Sequence, residues 1–387
     1  MRILFAGSKL QHMPSILFAL ERMGHEIALY PKPMEDIEGN EEEEKAVENF
    51  LKVSRVDFVF SNIFMPFVAK ITNGLDMKYA VWCMDSPTYA SWFAESRYDN
   101  CYFFYIDRRE CELRKQSGMR NVYHLPLASD AAWGGQLVIT DEEIKKYTCN
   151  MSFVGSLYTQ NTYDNTIERF PDHIQNVFSG MIEQAAFLWD GIDRLHMPPE
   201  LVRAVRETCG DYFTETFEMP DEYLFRTYFL GRKLTHVERT LLMELLSQQY
   251  DIHLYTRASE KVPEGVRRFG EIDAGEEARK VYYSSRINLN ITLRSIAGGI
   301  PARVFDVMSV GGFVLSNWQE EIPELFEEGR EIATFCTPEE LLDKADYYLR
   351  HENERIRIGV NAYRKVKENY TYEHQIAKII AVLYPSP

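Results

Sequence analysis

Ile287-Asn-Leu-Asn-Ile-Thr-Leu-Arg294-Ser-Ile-Ala-Gly298-Gly299-Ile-Pro301-Ala-Arg303-Val-Phe-Asp306-Val-Met308 is the stretch that decides the fold. Residues 287–293 alternate and are rich in aliphatic side chains, which predicts a buried strand. Gly298 and Gly299 allow the backbone to turn sharply and a ligand to approach closely. Pro301 is typical of the first helical position, because its missing N–H costs nothing there. The stretch therefore predicts a strand, a small-residue loop and a helix.

The start of this predicted helix carries positive charge, which the helix dipole disfavours. Arg303 falls in the first turn, and Arg294 precedes the glycines. Free N–H groups at a helix start, two glycines and two guanidinium groups together predict a cradle for phosphate. Asp306 lies three residues after Arg303, so both should project from one face of the helix. The alternative is a helix cap with a surface arginine and an Arg–Asp pair.

Length and composition predict a soluble protein of two domains. The chain has 387 residues, and 45% of them are hydrophobic. That length exceeds what one ordinary core supports. The formal net charge of −16 argues against a general nucleic-acid binder, which needs a basic surface.

The cysteines and the hydropathy pattern predict a cytoplasmic location. The six cysteines are scattered without a C-x-x-C pair, so they are interpreted as reduced thiols and not as zinc ligands. The apolar run at the N-terminus is too short for a signal peptide, and it is interpreted as a first strand. No run of about 18 apolar residues occurs, so no transmembrane segment is expected.

Strands and helices alternate along most of the chain, which predicts parallel, doubly wound sheets covered on both faces. A first Rossmann-like domain is expected over residues 1–135. A second is expected over residues 148–369, beginning with a strand that ends at Gly155-Ser156. Residues 174–233 are predicted to form a helical insertion in the second domain. Thr235 and Glu238 have the spacing of a capping box, which predicts a helix over 235–248.

Two Rossmann-like domains facing a cleft suit several functions. A nucleotide-sugar transferase, a nucleotide-sugar epimerase, a periplasmic-type binding protein and an oxidoreductase all remain open at this point. The dinucleotide fingerprint is missing after the first strand, where residues 6–11 are Ala-Gly-Ser-Lys-Leu-Gln, and this argues against NAD. No P-loop is present either, so ATP hydrolysis is not expected.

From residue 230 onward the chain resembles the spore-maturation CgeB/YkvP-like glycosyltransferases, a group-1-type branch of the GT-B transferases. The resemblance rests on Arg303-Val-Phe-Asp-Val-Met-Ser-Val-Gly-Gly-Phe-Val-Leu-Ser-Asn317 and on Glu324-Leu-Phe-Glu-Glu-Gly-Arg-Glu331. The segments 150–156 and 238–242 also resemble that family. Trp82-Cys-Met-Asp85-Ser-Pro87 looks like part of the variable acceptor-side domain.

The resemblance implies a GT-B fold, with a nucleotide-diphospho-sugar on the second domain and an acceptor on the first. The donor is expected to be a UDP-sugar, and no cofactor is expected. The acceptor is a glycan, a protein or a small molecule. The last helix, within residues 370–387, is expected to cross back onto the first domain. The nucleotide-sugar site is expected to comprise the following residues: Gly155, Ser156, Asn290, Arg294, Gly298, Gly299, Arg303 and Asp306.

Two departures from the family pattern affect this assignment. Related enzymes carry two glutamates eight residues apart, and these positions are Gly298 and Asp306 here. Asp306 is expected to accept a hydrogen bond from a ribose hydroxyl, and backbone amides of the glycine pair replace the other glutamate. The missing glutamate also leaves open an inactive GT-B-like binding or assembly protein as the alternative function.

The expected reaction is glycosyl transfer without a metal. No D-x-D carboxylate pair is present, and fixed arginines are expected to stabilise the leaving diphosphate. If the reaction inverts, a base must reach the acceptor hydroxyl. Asp85 is the first candidate, because it ends a predicted strand, and His12 is the second. The alternative for Asp85 is a turn residue whose side chain bonds its own backbone. The alternative for His12 is a surface histidine without a catalytic role.

Overall fold

A computed structural model describes residues 1–6, 12–28, 30, 37–131, 137–189, 192, 195–213, 218–273 and 275–385. The first-strand turn at Gly7–Lys9 and the connector at Gly134–Gly135 lie outside these residues. The chain forms two compact units. Unit 1 contains Met1–Ala128, Thr216–Met219 and Tyr370–Pro387, and unit 2 contains Ser129–Glu215 and Pro220–Asn369.

Unit 1 is built on a six-stranded parallel sheet with the strand order β2-β1-β3-β4-β5-β6. Its strands are β1 (Arg2–Phe5), β2 (Glu26–Ala28), β3 (Phe58–Ser61), β4 (Tyr79–Cys83), β5 (Cys101–Tyr105) and β6 (Val122–His124). Every residue of β3 and β4 is buried, as expected for central strands covered by helices on both faces.

The helices of unit 1 follow its strands in the predicted alternation. They are α1 (Met13–Arg22), α2 (Glu41–Ser54), α3 (Pro66–Gly74) and α4 (Arg108–Gln116), with short 3-10 turns at Tyr89–Trp92 and Ala94–Arg97. Helix α2 begins after Asn40, whose side chain accepts hydrogen bonds from the N–H groups of Glu42 and Glu43. Four glutamates lie in its first turn, where the positive end of the helix dipole stabilises their negative charge.

Unit 2 is built on a second six-stranded parallel sheet, with the order β12-β11-β10-β7-β8-β9. Its strands are β7 (Met151–Val154), β8 (Ile252–Tyr255), β9 (Arg267–Phe269), β10 (Ile287–Asn290), β11 (Val314–Asn317) and β12 (Ala333–Phe335). The central strands β10 and β11 are buried throughout. The two sheets confirm the predicted α/β fold of two parallel, doubly wound layers.

The helices of unit 2 include a long helical segment between β7 and β8. This segment contains α6 (Thr162–Thr166), α7 (Asp172–Ala185), α8 (Pro199–Cys209), α9 (Asp221–Leu224), a π-helical turn (Phe225–Leu230) and α10 (Gly231–Ser247), with 3-10 turns at Ile167–Arg169 and Gly210–Tyr212. The remaining helices of unit 2 are α5 (Asp141–Tyr147), α11 (Glu276–Ser284), α12 (Ala302–Ser309), α13 (Ile322–Leu325), α14 (Pro338–Arg350) and α15 (Glu352–Asn369).

The predicted helix start at Thr235 is wrong. Helix α10 begins at Gly231 and directly continues the preceding π-helical turn. Thr235 lies buried inside α10, and its hydroxyl donates to the carbonyl of Gly231, four residues earlier. A hydroxyl that is bonded to the helix backbone in this way has no capping role. Thr235 and Glu238 are both buried inside α10, so their capping-box spacing does not mark a helix end.

The last helix of the chain, α16 (Tyr372–Leu383), is part of unit 1. It begins after Thr371, whose side chain caps the N–H of His374. Gln375 is fully buried and donates from Nε2 to the carbonyls of Pro126 and Leu127. Among the residues described, no helix is both long and apolar enough to cross a bilayer.

Candidate functional site

The candidate site of unit 2 lies at the carboxyl ends of β7 and β10, which are neighbours in the sheet. Gly155 follows β7 directly, and its N–H donates to the carbonyl of Tyr255 in β8. Its φ angle is +147°, a conformation that L-residues rarely adopt. A Cβ at this position would lie 2.5 Å from Nη2 of Arg303. The positive φ favours glycine here, and any side chain would also have to displace the tip of the Arg303 guanidinium.

Arg303 reaches from the first turn of α12 to this strand end. Its Nε donates to the carbonyl of Val154 at 2.7 Å, and its Nη1 donates to Oδ1 of Asn290 at 2.8 Å. The guanidinium carbon lies 4.4 Å from the centroid of the Phe153 ring. Burial lowers the pKa of Arg303 below its ordinary value. Within the described part of the chain Nη2 has no hydrogen-bond partner, so this N–H group remains available for a ligand.

Asn290 is held in one orientation at the end of β10. Its Nδ2 donates to Oγ1 of Thr292 at 3.0 Å and to Oγ of Ser316 at 2.9 Å. This arrangement presents the amide oxygen to Arg303. The side chain of Asn317 in turn accepts from the N–H of Thr292 at 2.7 Å, which fixes the chain just after β10. Hydrogen bonds from two neighbouring strands therefore position Arg303.

Arg239 is a second cation beside Arg303, and sequence analysis did not single it out. It projects from α10, where its Nε and Nη2 donate to the carbonyl of Ile291 and its Nη1 donates to that of Ser156 at 2.6 Å. Burial, and then repulsion from Arg303, lower its pKa to about 9. Its only sequence signal is its place within the family-like segment 238–242. We call Arg239, Arg303, Gly155 and Asn290 the arginine cluster.

Asp306 lies one helical turn after Arg303, as the spacing predicts. Burial, and then repulsion from Asp130, raise the pKa of Asp306 to about 7, although Arg303 and Arg279 act in the opposite direction. A carboxyl with this pKa is partly protonated near neutral pH and can donate as well as accept a hydrogen bond. Either form suits a contact to a sugar hydroxyl.

Arg294 is not brought to the arginine cluster. Its Nη2 donates to the carbonyl of Ala185 at 3.2 Å, and its Nε lies 3.7 Å from Oε1 of Glu238. The side chain is 6% exposed and lies against the helical segment. Arg294 and Arg303 therefore do not face one common phosphate, as the sequence had predicted. Arg294 lies in a loop, and the direction of its side chain is set by contacts with the helical segment and not by its distance from Arg303 in the sequence.

The glycine pair and Ser156 occupy the loops around the cluster. Gly298 and Gly299 are buried, and the carbonyl of Gly298 accepts from the N–H of Glu321 at 3.2 Å. Pro301 is the N-cap of α12 and not its first helical residue. The hydroxyl of Ser156 donates to the Glu260 carboxylate, so Ser156 presents its carbonyl, and not its side chain, to Arg239.

Asp85 lies in unit 1, in the loop that follows β4. Its side chain is exposed, and its carbonyl accepts from Oγ1 of Thr88 at 2.6 Å. Two buried carboxylates hold the rest of this loop: Asp107 accepts from the hydroxyl of Ser86, and Glu110 accepts from the N–H of Thr88. Asp85 is thus an exposed acidic residue on a loop that hydrogen bonds hold in place.

His12 caps the start of α1 in the same unit. Its Nδ1 lies 2.8 Å from the hydroxyl of Tyr372, and the Tyr372 ring packs edge-on against Trp82 at 5.9 Å. Burial lowers the pKa of His12 to about 4, so the imidazole is neutral at physiological pH. A base with so low a pKa binds a proton only weakly near neutral pH, so the electrostatics of His12 do not favour it as the general base.

No group of three or more histidine, cysteine, aspartate or glutamate side chains with metal-binding geometry occurs in the described ranges. The guanidinium groups of Arg239 and Arg303 lie together at the carboxyl ends of β7 and β10. Backbone carbonyls take up several of their N–H groups, and Nη2 of Arg303 remains open. The arrangement therefore suits an anionic ligand.

Comparison with known proteins gives one family match over part of the chain and several structures of the same fold. Residues 232–381 match a family model described as "Glycosyl transferase-like". No curated protein matches the chain. Among solved structures, the chain is similar to a glycosyltransferase from Rickettsia africae, with 11% identity, coverage of 100% of this chain and 99% of that chain, and a TM-score of 0.55.

Two further structures show the same similarity. Alr3699/HepE of Anabaena, solved in complex with UDP-glucose, has 11% identity, coverage of 99% of both chains and a TM-score of 0.52. Sucrose-phosphate synthase from Thermosynechococcus elongatus has 10% identity, 99% coverage of both chains and a TM-score of 0.52. These structures confirm the predicted GT-B fold. The predicted glycosyltransferase activity agrees with the family model over residues 232–381.

Proposed function

We propose that the protein transfers a sugar from a nucleotide-diphospho-sugar to an acceptor hydroxyl, with the donor diphosphate held by the arginine cluster. The observation that carries this proposal is the position of Arg303. Its guanidinium fills the side-chain space of Gly155, and its Nη2 amino group has no partner among the described residues. Arg303 is half-buried, so an anion that binds to this open donor is shielded from water on one side by the protein.

The same residues account for catalysis by differential binding. As the bond between sugar and phosphate breaks, negative charge grows on the leaving diphosphate. Arg303 and Arg239 are already fixed by backbone carbonyls, so they need no reorganisation when that charge appears. They would stabilise the transition state more than the bound donor, which is the requirement for acceleration. On this proposal the arginines supply the positive charge that a divalent cation supplies in other transferases.

A UDP-sugar is the proposed donor. The support for this choice is that Alr3699/HepE, which has the same fold, has been solved with UDP-glucose. Asp306, one helical turn from Arg303, is proposed to bond a ribose hydroxyl of the donor. Gly155 and Asn290 complete the site by close backbone approach and by positioning Arg303. Ser156 contributes through its carbonyl.

The acceptor side of the reaction is proposed to lie in unit 1. Asp85 is the proposed base if the reaction inverts, because its carboxylate is exposed at the carboxyl end of β4. The acceptor is a glycan, a protein or a small molecule. A cytoplasmic location belongs to the same proposal, supported by the six cysteines, all of which are free. We further propose membership of the CgeB/YkvP-like branch, on the resemblance of residues 303–317 and 324–331.

A donor panel tests this function. The full chain is incubated with UDP-, GDP- and dTDP-sugars, and the release of nucleoside diphosphate is measured for the wild type and for Arg303→Ala. Turnover of one donor, lost in Arg303→Ala and kept in the exposed control Arg350→Ala, would support the transferase. Binding of a donor without any turnover would support the alternative of an inactive binding module.

A further inference from the structure

A cavity of about 400 Å³ opens within the helical segment of unit 2. Its walls are mostly aliphatic and come from α7, α8, α10 and the chain that follows α7: Val177, Met181, Leu188, Leu201 and Leu234. The side chains of Val177 and Leu188 are 45% and 55% exposed, so they mark its mouth, whereas Leu234 is fully buried. A volume of several hundred Å³ with apolar walls is typical of a small-molecule site.

One buried cation lines this apolar cavity. Arg294 is 6% exposed, and its Nη2 donates to the carbonyl of Ala185. Its Nε is buried without a hydrogen bond, and Nη1 has no partner among the residues described. A guanidinium has five N–H donors, so most of its hydrogen-bonding capacity is unused here. Leaving such a group unsatisfied beside apolar walls costs free energy unless a ligand accepts from it.

Glu238 compensates the charge of Arg294 only in part. Its nearer oxygen lies 3.7 Å from Nε of Arg294, too far for a hydrogen bond, and accepts instead from the N–H of Phe187 at 2.9 Å. Burial raises the pKa of Glu238 to about 7, against the opposing effect of Arg294. The raised pKa favours the uncharged form of Glu238, which would leave the charge of Arg294 less fully compensated.

We propose that this cavity binds an aliphatic monocarboxylate, whose chain packs against the apolar walls and whose carboxylate accepts hydrogen bonds from Arg294. A single guanidinium matches one carboxylate in charge and in its planar, forked geometry. A phosphate dianion suits the cavity less well, because it requires more hydrogen-bond donors than one guanidinium offers. The remaining polar lining, Gln184 and His196, leaves most of the wall to the aliphatic chain.

This site is separate from the one proposed for the donor diphosphate. No residue of the arginine cluster appears among the described residues that line the cavity. The proposal therefore goes beyond glycosyl transfer and does not depend on it. A failure to bind the carboxylate would leave the donor experiments unaffected, and the reverse also holds.

Calorimetric titration of the full chain with octanoate tests the proposal, with octanol as a probe of equal chain length and inorganic phosphate as an anion without a chain. Octanoate is expected to bind at least tenfold more tightly than octanol, and phosphate is expected not to bind in the same range. Arg294→Met, which keeps the length of the side chain, is expected to remove the preference for octanoate. Absence of octanoate binding, or equal affinity for octanoate and octanol, would overturn the proposal.

If Arg294→Met does not fold, a variant at the mouth of the cavity can test the same proposal. Leu188→Asp places a negative charge, the same sign as that of octanoate, at the mouth of the cavity on a side chain that is already exposed. It should weaken octanoate binding severalfold and leave octanol binding nearly unchanged. Leu241→Asp is the matched control, because Leu241 is 41% exposed but lines a different cavity. If Leu188→Asp and Leu241→Asp bind octanoate as the wild type does, the cavity is not the site.

Discussion

Nη2 of Arg303 occupies the place where a side chain on Gly155 would begin, 2.5 Å from the position of a Cβ. The end of strand β7 and helix α12 thus contact each other through Gly155 and Arg303, because the guanidinium occupies the space that a side chain at position 155 would need. The two residues are 148 positions apart, and the positive φ of Gly155 is part of the same arrangement. This contact carries the proposed function.

The Gly155→Ala variant should lose donor affinity. The added methyl group must displace the Arg303 guanidinium, and a positive φ on alanine costs about 1–3 kcal/mol of stability. UDP affinity is expected to fall by about tenfold, measured by calorimetry. Gly118→Ala is the matched control, because Gly118 has a φ of +94° with open space around it. If folded Gly155→Ala binds UDP as tightly as Gly118→Ala, the contact has no role in binding.

The Arg239→Lys variant should destabilise unit 2 and weaken donor binding. A lysine ammonium cannot bond the carbonyls of Ile291 and Ser156 together as the guanidinium does. Leaving a buried carbonyl unsatisfied costs on the order of 1–3 kcal/mol, which should appear in the free energy of unfolding by urea. Arg267→Lys at an exposed position should change the stability little. A stability equal to that of Arg267→Lys would show that these hydrogen bonds are dispensable.

Local pattern predicted most of the fold and only part of the site. The strand–loop–helix order around Pro301 followed from periodicity, and the place of Asp306 one helical turn after Arg303 followed from helical spacing. The positions of Arg294 and Arg239 could not be predicted. Arg294 follows a strand in a loop without periodicity, so packing against distant helices decides its direction. Arg239 looks like any arginine on an amphipathic helix until α10 is placed beside β7 and β10.

The wrong helix start at Thr235 has a similar physical cause. The capping-box spacing to Glu238 is a local signal, and a threonine inside a helix can satisfy its hydroxyl with a carbonyl four residues earlier. The π-helical turn before Gly231 allows the helix to begin earlier, and no sequence pattern marks it. Glu238 is buried beside Arg294, which is distant in the sequence, and this contact accounts for a glutamate at the position that resembled a capping box.

The stability of the protein should depend on pH through Asp306. Its folded-state pKa is about 7, against an ordinary value of 3.8, so the folded chain holds a proton that the unfolded chain releases. The free energy of unfolding that Asp306 contributes is therefore fully present below about pH 4 and is lost as the pH rises through about 7. Glu110 and Glu238 act in the same direction.

Asp306→Asn removes this titration. Between about pH 5 and pH 8, the thermal midpoint of the variant should fall less than that of the wild type. The difference should be about 2–4 °C for each kcal/mol of pH-dependent stability that the substitution removes. Asp343→Asn, at an exposed position of α14, should keep the wild-type dependence. Identical pH profiles for Asp306→Asn and the wild type would contradict the assignment.

Asp85→Asn tests the proposed base. If Asp85 removes the proton from the attacking hydroxyl, kcat for donor hydrolysis should fall by about 10²–10⁴, while KM for the donor should change little. Asp76→Asn in unit 1, also exposed, should keep kcat. An unchanged kcat in Asp85→Asn would exclude this role. A large loss in His12→Gln alone would then assign the proton transfer to His12.

The most direct measurement is the dissociation constant of UDP for the wild type, Arg303→Ala and Arg350→Ala, determined by calorimetry on chains whose thermal midpoints show that they are folded. Loss of charge-assisted hydrogen bonds worth about 1.5–3 kcal/mol predicts an affinity about 10- to 100-fold weaker for Arg303→Ala, with Arg350→Ala unchanged. Equal affinity of all three proteins for UDP would contradict the assignment of the arginine cluster to the donor diphosphate.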